Sequence, residues 1–192
     1  LDHRSKALDA NVYAKNTSEN YGIGQQAASE NGSFKAGAKT SLHVAESLDV
    51  NLAHDHQKNL KTEDSQDVSK AELKLKHDSG SVGVGYQRID EKRAAQDTES
   101  NQATANVTQN FFNNSLELQG LVERNLNSDQ SVDYPNRYLL QAGYKLTDKT
   151  KVFVAQEYTD GNLYDSSTTR VGFESNPWTG SKISSTVNQS VG

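Results

Sequence analysis

Residues 70–76 read Lys-Ala-Glu-Leu-Lys-Leu-Lys, charge alternating with hydrocarbon at every step. Successive side chains of a β-strand point to opposite faces. An extended backbone therefore puts Ala71, Leu73 and Leu75 on one face and Lys70, Glu72, Lys74 and Lys76 on the other. The same period returns on either side. Phe34–Val44 sets Phe34, Ala36, Ala38, Leu42 and Val44 against Lys35, Lys39, Ser41 and His43. Leu48–Asp55 sets Leu48, Val50 and Leu52 against Asp49, Asn51 and Asp55. Ala103–Phe111 and Tyr138–Leu146 follow the same rule, and no helical periodicity competes with it.

The connections alternate in length. Short ones fall near Glu46, Ser79, Asn113, Asp148 and Trp178, with turn residues such as Asp78-Ser79-Gly80, Asn113-Asn114 and Thr147-Asp148-Lys149. Longer polar stretches span Gln57–Ser69, Ile89–Asn101, Asn127–Asn136 and Thr159–Thr168. Successive short turns stand 33, 34, 35 and 30 residues apart, a repeat of strand, tight turn, strand and long loop. Residues 1–192 thus read as a single hairpin array of about 12 antiparallel strands. A first short turn is expected at Asn16–Glu19, after a strand over Leu8–Lys15. That polarity makes the chain enter and leave on the long-loop side. The expectation is a piece of a larger barrel, without a signal peptide of its own.

Composition narrows the environment. Only 33% of residues are hydrophobic and the mean hydropathy is -0.83, low for a globular core. No apolar run approaches the ~20 residues of a spanning helix. A transmembrane barrel needs hydrocarbon on one strand face only, so its composition looks soluble. The fold expected is an all-β, antiparallel, up-and-down transmembrane β-barrel with short periplasmic turns and long extracellular loops. The net charge of -5 comes from 20 basic and 25 acidic residues mixed along the chain, without a basic block that would suit nucleic acid. There is no cysteine, which excludes disulfides and thiolate metal sites.

From Ser131 to Val187 the text is SVDYPNRYLLQAGYKLTDKTKVFVAQEYTDGNLYDSSTTRVGFESNPWTGSKISSTV. It resembles the barrel region of very large Gram-negative outer-membrane proteins, in which segments like YPNRYLLQAGYKLTDKT, TTRVGF and PWTG recur in the hairpins. The likeness covers about the last third of the chain. It implies the fold and an outer-membrane location, and it supplies no catalytic residues.

The polar strand faces are the first candidate site. Lys35, Lys39, Asp49, Asp55, Lys70, Glu72, Lys74, Lys76, Glu117, Glu123, Lys145, Arg170 and Glu174 are expected to face a lumen. They would line an aqueous path whose mixed field tunes solute selectivity, or form a solvated face with cross-strand ion pairs. Barrel width decides between these. His77-Asp78-Ser79 places an imidazole and a hydroxyl two residues apart, as in outer-membrane lipid hydrolases, but on a tight turn beside a glycine, where an ordinary turn is expected. His54 and His56 share one strand face, yet two imidazoles without a third ligand make a poor zinc site. Phe111, Phe112 and Trp178 beside short turns, with Tyr86, Tyr138 and Tyr158 toward long loops, fit two interfacial girdles.

The function expected is the membrane anchor or pore of a large cell-surface protein, not an enzyme. Its partners would be outer-membrane lipid and the remaining strands or domains of that protein, with no cofactor, metal or nucleic acid. The alternative is a soluble antiparallel β adhesin or filament module.

Overall fold

A computed structural model describes residues 1–18, 32–94, 96–127, 133–161 and 165–192. Twelve strands occur among them: β1 (Asp2–Arg4), β2 (Leu8–Thr17), β3 (Ser33–Ala45), β4 (Leu48–Asn59), β5 (Ser65–His77), β6 (Gly80–Lys92), β7 (Asp97–Phe111), β8 (Leu116–Asn125), β9 (Asn136–Thr147), β10 (Thr150–Asp160), β11 (Asp165–Ser175) and β12 (Ile183–Val191). They form one sheet in sequence order, each strand antiparallel to the next. The array is all-β and up-and-down. It is also open, because β1 and β12 do not pair.

Turn chemistry explains the short side. β3 and β4 are joined by residues 46–47, β5 and β6 by 78–79, and β9 and β10 by 148–149. Between β7 and β8 the chain reverses through three residues of positive φ, Phe112 (52°), Asn113 (54°) and Asn114 (64°). Asparagine tolerates this left-handed region, whereas Phe112 adopts it at a cost. Gly180, at φ 83°, serves the β11–β12 connection.

Two expectations need correcting. The tight turn placed at Asn16–Glu19 is absent at its described end. Asn16 and Thr17 extend β2 and pair with Phe34 and Ser33, while Glu19 lies outside the described residues. The short connection beside β2 is residues 5–7, on its other end. The long polar loops also shrink, because their flanks are strand. β4 and β5 run on to leave residues 60–64 between them, and β6 and β7 leave 93–96. The flanks are mostly polar yet held by cross-strand pairs, such as His56–Asp67 at 2.8 Å, Gln66–Glu91 at 2.6 Å and Arg88–Glu99 at 3.0 Å.

The register slips steadily. One row of directly opposed residues runs Leu42, Val50, Leu73, Val84, Ala105, Val122, Tyr138 and Tyr158. Leu42 lies three residues before the end of β3, and Tyr138 lies nine before the end of β9. That is about one residue per strand, roughly 3.3 Å against the ~4.8 Å between strands. The strands therefore lean by roughly 35° from the normal to the line of short turns. Tilt and stagger of this size are those that curl a sheet toward closure.

Candidate functional site

Register carries side-chain parity across the sheet and divides it into two unlike faces. One bears an apolar band. Leu73 is 51% exposed and Val107 42%, and Leu52, Leu75, Val82, Val84, Val122, Leu140, Val154 and Val171 share their exposure. Among the described residues the only buried hydrophobics are Val68, Ile89 and Ala155, all on the opposite face. The sheet has no conventional core beneath its leucines.

Aromatic side chains border the band. Near the short turns, Phe111, Leu116, Tyr144, Val152 and Phe173 form one row, with Phe112 and Trp178 exposed beyond it. Toward the other end stand Tyr86, Tyr138 and Tyr158. The last two are stacked, centroid to centroid 6.2 Å at 29°. Tyr86 donates a hydrogen bond to Asn101 Oδ1.

The second face is polar. Lys35, Lys39, Asp49, Asp55, Lys70, Glu72, Lys74, Lys76, Glu117, Glu123, Lys145, Arg170 and Glu174 all fall on it. This face is the concave one, because side chains two strands apart converge over an intervening glycine. The Tyr13 hydroxyl reaches Asp55 Oδ1 at 2.6 Å over Gly37, and Asn106 Nδ2 reaches Glu72 Oε1 at 2.6 Å over Gly83. Lys151 Nζ reaches Glu117 Oε1 at 2.7 Å over Gly143. Strands two apart stand about 9.6 Å from one another in a flat sheet, and bridges of this kind are favoured when the sheet curves toward this face. A Cβ on Gly83 would sit 2.6 Å from both Asn106 Nδ2 and Glu72 Oε1.

Ion pairs knit the polar face. Asp49 is held by Lys76 Nζ at 2.5 Å and by His43 Nδ1 at 2.8 Å, and His43 also faces Asp9 at 3.4 Å. Arg137 stands between Glu157 at 3.2 Å and Glu123 at 3.5 Å, and Arg170 caps Glu157 at 2.6 Å. Lys182 reaches Glu174 at 3.5 Å. Lys39, Lys70, Lys74 and Lys145 lie on the same face outside these pairs. Arg137, Lys151 and Glu157 are absent from the sequence-derived set, whereas the alternation puts His43 on the polar face but not among its charged residues. Around the first three, apolar residues occupy both parities, as in Val152-Phe153-Val154 and Leu139-Leu140, so the polar face could not be read off.

The concave face is best buried near its long-loop end. There Ile89 and Ser100 are 0% exposed and Gln102 is 2%. Tyr134 and Pro135, at the end of the connection that leads into β9, lie against this region. Gln102 Nε2 donates to Tyr134 O at 2.8 Å and Pro135 O at 3.3 Å, and Asn125 Nδ2 donates to Tyr134 O at 3.1 Å. Arg93 Nη2 meets Asp133 Oδ2 at 2.6 Å and Glu91 Oε1 at 3.2 Å. Burial, and then the carboxylates Glu91, Asp133 and Asp55, push the Tyr134 phenol above its ordinary range.

The smaller motifs stay separate from this arrangement. His77 Nδ1 lies 3.3 Å from Ser79 Oγ, which also accepts from Gln109 Nε2 at 2.8 Å. Among the described residues no carboxylate orients that imidazole. His54 and His56 lie on the outer face, bonded to Ser69 at 2.9 Å and Asp67 at 2.8 Å. No group of three or more potential metal ligands occurs among the described residues. No protein-family model, curated protein or solved structure matches the chain.

Proposed function

We propose that this chain is part of a transmembrane β-barrel in a Gram-negative outer membrane, serving as anchor or pore for a large surface protein. The observation that carries the reading is the exposed apolar band around Leu73 and Val107. A soluble sheet buries its hydrocarbon face, whereas a barrel in lipid exposes it. The aromatic borders support the same environment. Tyr138 to Tyr144 spans six residues and Phe111 to Ala103, the partner of Tyr86, eight. At a tilt of roughly 35° that is a height of about 17–22 Å, close to the ~25 Å apolar band of outer-membrane barrels. The open edges at β1 and β12 point to further strands as partners, since an unpaired edge in hydrocarbon costs several kcal/mol per orphaned group. Short turns would then face the periplasm and the longer connections the exterior.

Flotation tests this reading. The protein, refolded with phospholipid vesicles, should rise with them through a density gradient and resist extraction by alkaline carbonate. A monodisperse, detergent-free species that stays at the bottom would instead favour the soluble adhesin or filament module.

A further inference from the structure

Within the pore form of that reading, we propose that Asp133-Tyr134-Pro135 is a strap across the concave face that constricts the passage. A single bare sheet leaves its concave side chains wet, so a fully buried Ile89, Ser100 and Gln102 demand a cover. The Gln102 amide fixes that cover by clamping two consecutive carbonyls of the strap, Tyr134 O and Pro135 O. Asn125 clamps the first of them from β8. The far end of the strap is latched to the β6–β7 connection through Arg93 and Asp133.

Tyr134 carries the strap well beyond its own hairpin. It lines one gap of about 140 Å3 together with Tyr13, Asp55 and Val68, side chains of β2, β4 and β5. A tyrosine that starts between β8 and β9 and meets β4 has crossed the concave hollow. What remains beside it is a second gap of about 310 Å3, lined by Gln57, Asp64, Gln66, Glu91, Arg93 and Asp133. Three carboxylates against one guanidinium give this gap a negative field. A path past the strap therefore takes small hydrophilic solutes and favours cations over anions. Tyr134 fills the hollow next to this gap, Gln57 and Gln66 divide the two, and the Arg93–Asp133 pair in the gap's wall holds the strap in place.

The full-length protein, reconstituted in vesicles and planar bilayers, tests this with two independent readouts. The first is labelling by a polar maleimide of a cysteine at a buried position outside the clamp, Ser100→Cys, against an exposed one on the same face, Lys39→Cys. Labelling at 100 should be at least about tenfold slower. Adding Tyr134→Ala should abolish most of that difference, while Tyr134→Phe should preserve it. The second readout is single-channel current: Tyr134→Ala should raise conductance several-fold and weaken cation preference. Equal labelling rates at 100 and 39 without any strap substitution would overturn the proposal, as would a Tyr134→Ala protein unchanged in both readouts. Failure of the membrane reading looks different, because the protein would not float with vesicles. The labelling contrast would then still decide the strap in solution.

Discussion

Strands β5 to β7 carry two regions that reverse the usual order of a soluble sheet. On their concave face near the long connections, Gln102 and Ser100 are sealed from solvent. On the outer face of the same strands, Leu73 and Val107 stand half exposed. In a water-soluble sheet the glutamine would be wet and the leucine buried. The reversal teaches that burial and polarity are uncoupled here. Polar groups are buried where hydrogen bonds hold them, while hydrocarbon is left outside as though the surrounding solvent were itself hydrocarbon.

Substitutions sharpen or break this contrast. The largest effect is expected at Leu73→Arg, which should cost about 2–4 kcal/mol in urea titrations of the bilayer-inserted protein. Its neighbour Lys74→Leu should be nearly neutral, and equal effects at the two positions would refute the assigned faces. Gly83→Val comes next, at about 1–3 kcal/mol in the same titration, because a side chain there collides with the Glu72–Asn106 bridge. Gln102→Ala should cost about 1–2 kcal/mol, because Pro135 O loses its side-chain donor and Tyr134 O keeps only Asn125. The smallest change is Lys182→Ala. Its exposed pair with Glu174 should contribute under ~0.5 kcal/mol, and a larger loss would mean that this end of β12 is covered by a partner.

The two ends of the sheet offer a second contrast. An epitope inserted after Lys61, between β4 and β5, should be labelled on intact cells. The same epitope after Asp148, between β9 and β10, should be labelled only once the outer membrane is breached. The opposite pattern would invert the topology.

Much of the fold was legible where one face was purely apolar. The Lys70–Lys76 alternation fixes the parity of β5, and register then carries it to every other strand. The charged residues assigned to one face of β3 to β5 on that basis share it, while Lys58 and Asp67, in stretches read as loop, lie on the other. What escaped was written in less one-sided text. The polar ends of β4 to β7 look like loop because Val68 and Ile89 are almost their only hydrocarbon and form no alternating run, yet cross-strand pairs such as Arg88–Glu99 keep them extended. Asn16-Thr17-Ser18 has turn composition, but pairing with β3 satisfies the backbone of Asn16 and Thr17 and overrides it. The strap had no local signal at all. Tyr134 and Pro135 lie in a polar connection, and only the distant Gln102 and Arg93 reveal where that connection goes.

Spin labels placed singly at positions 70 to 76 in the bilayer-inserted protein test the central claim most directly. Collision with molecular oxygen, which concentrates in hydrocarbon, should peak at 71, 73 and 75. Collision with a water-soluble nickel complex should peak at 70, 72, 74 and 76. Labels at 73 and 75 that meet neither reagent would place those leucines inside a protein core and contradict the account.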